Sequence, residues 1–304
     1  MRKRTLKRTL AVLLAAMLLA TLAMPMASAA GTQCATKYPI VLVSGAGFTD
    51  TNFGLANYWG RIPKTLQDQG AKIYYGGTDG WCSVESGAAA IKSAVDRALK
   101  ETGAVKVNIV AHSKGGIEAR YMISSLDMAG KVASLTTIST PHHGSKAMDS
   151  FLGFPNILLR MVGGVANVVR FVWGDRRPDF YAGITSLGTA YMEDFNKNNP
   201  DKAGVYYQSY AGAMQMPGSD VMLALTNLYI SGYDGENDGM VGVESAKWTN
   251  FRGVIRGAGI SGVSHLDEVD FRRNDLAIQK TDNGATDMLE FYVALLADLK
   301  QKGY

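Results

Sequence analysis

The segment Ala111-His112-Ser113-Lys114-Gly115-Gly116 sets one hydroxyl between small residues two positions to either side. The apolar run Val107-Asn108-Ile109-Val110 precedes it and a helix-forming stretch follows. A nucleophile elbow of the G-x-S-x-G kind needs this strand–turn–helix setting. Small flanking residues let strand and helix pass closely, and the tight turn lifts the hydroxyl and aims the next backbone N–H at a developing oxyanion. Ala111 stands where the pattern has its first glycine, and the next smallest residue keeps the turn. The implied chemistry is acyl transfer through serine, which needs a base.

Four histidines are available: His112, His142, His143 and His265. Around such an elbow the chain order is serine, acid, histidine. His112 precedes the serine and is expected to point away from it. His142 and His143, in Thr140-Pro141-His142-His143-Gly144-Ser145, come too early and read as structural or hinge residues. His265 follows the loop Gly259-Ile260-Ser261-Gly262-Val263-Ser264 and is the expected base. The acid that orients it is expected among Asp234, Glu236 and Asp238, and spacing does not choose between them.

These groups must be held by elements that the apolar pattern outlines. Strands are expected at 39–44, 72–75, 105–111, 132–139 and 205–211. A helix is expected to start from Ser86 as cap, with Ile91, Val95, Ala98 and Leu99 on one face, and to end at Gly103. Others are expected over 115–124 and about 285–302. Strands separated by helices imply an α/β fold, with a mostly parallel sheet covered on both faces and chemistry at the carboxyl ends of its strands. One domain is expected over 31–304.

Residues 146–200 interrupt the alternation. Phe151 to Trp173 is apolar but carries Arg160 and Arg170, each costing about 2.5–3.5 kcal/mol near a bilayer centre. The segment therefore reads as surface helices with an apolar face, a lid-like insertion over an apolar site that would also meet a lipid interface.

Arg2, Lys3, Arg4, Lys7 and Arg8, an apolar run from Leu10 to about Ala23, and Ala27-Ser28-Ala29 have the layout of a secretory signal peptide over residues 1–30. The formal net charge is +4, and the five basic residues of that leader account for more than all of it. The remainder is near neutral and gives no reason to expect nucleic acid as a partner. Two cysteines, Cys34 and Cys82, in an exported chain imply a disulfide. It would be worth about 4 kcal/mol in the chain-entropy picture.

From Tyr38 to about Asp275 the chain resembles the secreted bacterial true lipases, the triacylglycerol lipase family of α/β-hydrolase fold. Pro39-Ile40-Val41-Leu42-Val43-Ser44-Gly45, the Ser113 elbow, Thr136 to Ser145, and Asn237-Asp238-Gly239 with His265-Leu266-Asp267-Glu268 carry the resemblance. It implies Asp238 as the acid and the N–H groups of Ala46 and Lys114 as the oxyanion hole. It also implies a structural Ca2+ held by Asp220 and Asp267 near the histidine loop, since calcium favours hard oxygen ligands. No organic cofactor is implied. No zinc is expected, because no histidine lies between Cys34 and Ala111. Two departures stand out: Ser44-Gly45 replaces the family's usual His-Gly, and Lys114 replaces the commoner Gln or Met. The expected activity is hydrolysis of acylglycerol esters at a lipid–water interface by a secreted, extracellular enzyme. A short-chain carboxylesterase or polyesterase, and a non-catalytic lipid-binding relative, are the competing readings. The sequence does not speak to a folding helper or an oligomeric state.

Overall fold

Short runs of β-branched residues, buried on both sides, build the centre of the molecule. A computed structural model describes residues 31–47, 58–77, 80–153 and 179–304. The expected leader at 1–30 and the stretch 154–173 of the apolar segment lie outside the described residues. The strands are β1 (Ile40–Val43), β2 (Ile73–Tyr75), β3 (Val107–His112), β4 (Val132–Ile138), β5 (Tyr206–Ala213) and β6 (Phe251–Arg256). They form one sheet in the order β2-β1-β3-β4-β5-β6 with every neighbouring pair parallel. Every residue of β1, β3 and β4 is buried, as a parallel sheet covered on both faces requires. The α/β-hydrolase expectation therefore holds.

The helices are α1 (Ile62–Asp68), α2 (Val84–Thr102), α3 (Lys114–Ser125), α4 (Lys146–Leu152), α5 (Phe180–Thr185), α6 (Thr189–Asn198), α7 (Ala224–Asp234), α8 (Val243–Ala246) and α9 (Met288–Gln301). The two-residue alternation of the strands divides the core into two layers. Ile40, Leu42, Val110, Ile138 and Tyr210 pack with Ile62 and Leu66 of α1 and with Phe291, Tyr292 and Leu295 of α9. Val41, Val43, Ile109, Ala111 and Leu135 pack with Ile91 and Val95 of α2 and with Ala119 and Met122 of α3. Among the described residues no helix is long and apolar enough to cross a membrane.

Several local expectations shift. Ser83 caps α2, its side chain accepting from Ser86 N at 3.3 Å, so Ser86 lies inside the first turn. Asp287 caps α9 by accepting from Leu289 N and Glu290 N, which starts that helix later than 285. The edge strand β6 is not legible in the sequence, because Arg252, Gly253 and Arg256 break its apolar pattern. Arg256 meets Glu236 at 2.7 Å, and Gly253 has φ 135°.

The Cys34–Cys82 disulfide is not formed; both cysteines are unbridged thiols, and both are buried. Cys34 belongs to the layer containing α1 and α9. Cys82 lies 3.8 Å from Glu118 Oε1 on α3, in the opposite layer. The sheet between them keeps the two sulfurs from the short Cα separation that a bridge needs.

Candidate active site

Strand order reverses between β1 and β3, which lie side by side although β2 and α2 intervene in the chain. A parallel sheet opens a crevice at such a point. The loop after β1 and the turn after β3 meet there, bringing Ser44-Gly45-Ala46 against Ser113. A Cβ on Gly45 would fall 2.6 Å from Ser113 Cβ and 3.1 Å from its Oγ, so only glycine allows this approach. Gly115 serves the same contact from the helix side, since its Cβ would stand 2.3 Å from Ser44 O.

Ser113 has φ 56° and ψ −136°. A non-glycine residue there stores about 1–3 kcal/mol of strain and persists only where its neighbours hold it. They do: Ser113 N donates to Ile138 O at 2.9 Å, and Ser113 O accepts from Thr140 Oγ1 at 2.8 Å. Lys114 opens α3, whose first-turn N–H groups have no intrahelical acceptor and carry the positive end of the helix dipole. Its side chain is buried and ion-paired with Glu118 one turn on.

Of the three candidate acids, Asp238 alone reaches His265. Its Oδ2 lies 2.7 Å from His265 Nδ1, and its Oδ1 accepts from Met240 N at 2.8 Å and Val241 N at 2.7 Å. The His265 backbone N–H donates to Asp238 O at 2.9 Å, locking the two loops in register. Asp234 instead accepts from Ser145 Oγ at 2.6 Å, and Glu236 pairs with Arg256. Burial alone would raise the Asp238 carboxyl. The His265 charge and the hydrogen bonds from His265, Val241 N and Met240 N outweigh it and hold the carboxyl below its usual range.

Behind this pair lies a buried network that the sequence did not reveal. The Tyr58 hydroxyl accepts from Gly45 N at 2.9 Å and lies 2.5 Å from His112 Nδ1. His112 Nε2 lies 2.8 Å from Glu268 Oε2. Ser139 Oγ donates to Glu268 Oε1 at 2.7 Å and accepts from Gly212 N at 3.0 Å. Glu268 also lies close enough to Asp238 to feel its charge. Burial first, and then the Asp238 charge, push the Glu268 carboxyl well above its ordinary value. Two adjacent buried carboxyls cannot both ionise, so Asp238 carries the charge and Glu268 keeps its proton. Burial, then the nearby His265, hold His112 well below the ordinary histidine value, and it is neutral. Its ring lies 4.3 Å from that of His265, which sets the base at the same end of the sheet as Ser113. The only sequence signal for Glu268 is its place three residues after His265; it lies on the 3-10 turn Asp267–Val269.

His142 is a structural residue. It is buried, stacked on Trp248 at 5.2 Å and 2.9 Å from Thr137 Oγ1. His143 Nε2 lies 3.1 Å from Lys247 O. Asp220 and Asp267 do come close to a common point, but a guanidinium lies between them. Arg272 Nη2 pairs with Asp220 Oδ1, and Arg272 Nη1 is 3.6 Å from Asp267 Oδ1.

No family model matches the chain. Among curated proteins it is 30% identical over 260 residues to the triacylglycerol lipase of Vibrio cholerae, covering 77% of this chain and 80% of that protein. It is 33% identical over 189 residues to the triacylglycerol lipase of Burkholderia plantarii, covering 59% of this chain but only 52%, about half, of that protein's length. Among solved structures, the Staphylococcus hyicus lipase superposes with a TM-score of 0.62 at 18% identity, covering 88% of this chain and 98% of that one. That likeness speaks to the fold alone. The extent of the Vibrio cholerae match decides kinship: this chain belongs to the bacterial triacylglycerol lipase family.

Proposed function

We propose that the chain is an exported serine ester hydrolase acting on acylglycerols, triacylglycerols among them, at a lipid–water interface. The observation that carries this reading is the strained Ser113 turn pressed against Gly45, with the 2.7 Å His265–Asp238 pair at the same strand ends. His265 takes the proton of Ser113 as Oγ attacks the ester carbonyl. The backbone N–H groups of Ala46 and Lys114 hold the oxyanion, and Asp238 stabilises the imidazolium. The proton then passes to the leaving alcohol, and water releases the acid from the acyl-enzyme. The basic, apolar and small-residue pattern of residues 1–30 supports export.

An apolar substrate is supported by the segment beside the acid loop. Leu223 packs where a Cβ on Gly239 would fall, 2.8 Å from its own Cβ. Around it Val221, Met222, Leu225 and Leu228 are 88%, 74%, 81% and 56% exposed. An outward apolar cluster of this kind suits a lipid surface.

Rates on p-nitrophenyl and triglyceride esters of increasing chain length, below and above their solubility limits, test the reading. Faster turnover of emulsified long chains supports it. A preference for soluble short esters replaces it with a carboxylesterase, and a folded protein that no fluorophosphonate labels replaces it with a binding protein. A narrower expectation concerns Gly45. In Gly45→Ala the new methyl displaces the loop that carries the Ala46 N–H, and kcat falls at least about a hundredfold, the usual cost of an oxyanion donor. Fluorophosphonate labelling should slow in parallel; an unchanged kcat excludes the post-β1 loop from the oxyanion hole.

A further inference from the structure

The two aspartates expected to hold calcium do not present an open oxygen cage. Asp220 is fully buried, and its Oδ1 accepts from Met222 N at 2.9 Å and Leu223 N at 3.3 Å besides pairing with Arg272. Asp267 Oδ2 accepts from Ser264 N at 3.1 Å and Ser264 Oγ at 2.8 Å, clamping the residue just before His265. The Arg272 guanidinium spans the two carboxylates from within the same loop. A divalent ion and a guanidinium cannot share that position, since their like charges would meet across a few ångströms with low screening. The residues present therefore do not fit calcium while Arg272 is in place.

We infer that Arg272 supplies the cation that this site would otherwise take from solution. Its planar fork bridges carboxylates, so the Asp220 loop and the histidine loop are tied by a side chain of the chain itself. A second guanidinium reinforces the tie: Arg61 Nη2 and Nε bond the carboxylate of Asp270 at 2.8 and 2.9 Å, two residues before Arg272. The remaining oxygen, Asp220 Oδ2, is buried with no hydrogen-bond partner. It is the acceptor a metal would take once the guanidinium was removed. The inference concerns how the His265 loop is held and is independent of the ester cleaved.

The test uses the purified full chain, with metal content and unfolding temperature as readouts, so a failed lipase assay does not bear on it. After dialysis against EDTA, wild type is expected to hold no stoichiometric calcium, and millimolar CaCl2 is expected to leave its Tm unchanged. Arg272→Ala is expected to lower Tm in EDTA by roughly 4 °C or more, the shift that loss of a partly buried ion pair gives a chain of this size. Millimolar CaCl2 then restores part of that loss, and Arg272→Lys falls between the two. One tightly held calcium per wild-type chain, or a Tm in wild type that rises with calcium by several degrees, overturns the inference. So does an Arg272→Ala chain as stable in EDTA as wild type.

Discussion

Ser113→Ala lowers kcat/KM on any ester substrate at least about a thousandfold, because what remains is catalysis by binding and the oxyanion hole alone. Fluorophosphonate labelling disappears with it. The fold should not follow, since alanine keeps the Cβ and the φ of 56° that the Ile138 and Thr140 hydrogen bonds impose. Ser113→Gly makes the separation sharper: it abolishes activity equally but relieves the positive φ, so Tm holds or rises. A Ser113→Ala enzyme retaining a tenth of the wild-type rate would mean that another nucleophile acts and that the elbow is only a structural turn.

The second large effect separates two carboxyls that the sequence lists thirty residues apart and the fold brings to the same His265 nitrogen. Asp238→Asn is expected to lower kcat about ten-thousandfold, as loss of the orienting carboxylate does in a Ser-His-Asp site. Glu268→Gln should change it less than about tenfold, because an amide reproduces the hydrogen bonds of a protonated carboxyl. Equal losses in both variants would mean that Glu268, 4.0 Å from His265 Nδ1, is the working acid. Stability carries an independent signature. The Glu268 carboxyl is raised above its ordinary 4.5 in the folded state. Folded chains therefore keep a proton that unfolded chains release, and stability falls as pH rises above that value. Asp238 is lowered, and its contribution is lost in the opposite direction, as pH falls below the ordinary carboxylate value. Glu268→Gln removes the first slope, so its Tm should decline less than that of wild type between pH 4.5 and neutrality. Parallel profiles would show that Glu268 is ionised in the fold.

The sequence made the sheet legible where burial was complete. The runs at β1, β3 and β4 are apolar on both sides, and their positions were read to within two residues. β6 escaped because it is an edge strand with arginines paired to Glu236 and Asp282. α7 escaped because much of its apolar surface faces outward, which is the reverse of a core-facing helical stripe. Within the site, Ser113, His265 and the acid cluster could be read from residue type and chain order. The choice of Asp238 came from resemblance and agrees with the observed contact. Tyr58, Ser139 and Glu268 could not be found this way. Their roles arise from meetings across more than fifty residues of chain, and each residue type is common elsewhere. The cysteine pairing failed for a related reason: composition and compartment suggest a bond, but only the layer in which each sulfur sits decides whether it can form.

The buried Lys114–Glu118 pair bears on how the residue after Ser113 can be exchanged. Lys114 is one member of a packed set of three, with Glu118 and Gly87. A Cβ on Gly87 would fall 2.3 Å from Glu118 Cδ, so the missing side chain at 87 makes room for the carboxyl that neutralises Lys114. Exchanging Lys114 alone for an apolar residue removes the counter-charge of the buried Glu118, a loss on the order of 3–5 kcal/mol. Evolution toward a methionine or glutamine at 114 would have to change position 118 with it, because removing either charge alone takes the buried counter-charge from the other, and only then could position 87 accept a side chain. That coupling restricts which relatives this chain can be converted into one substitution at a time.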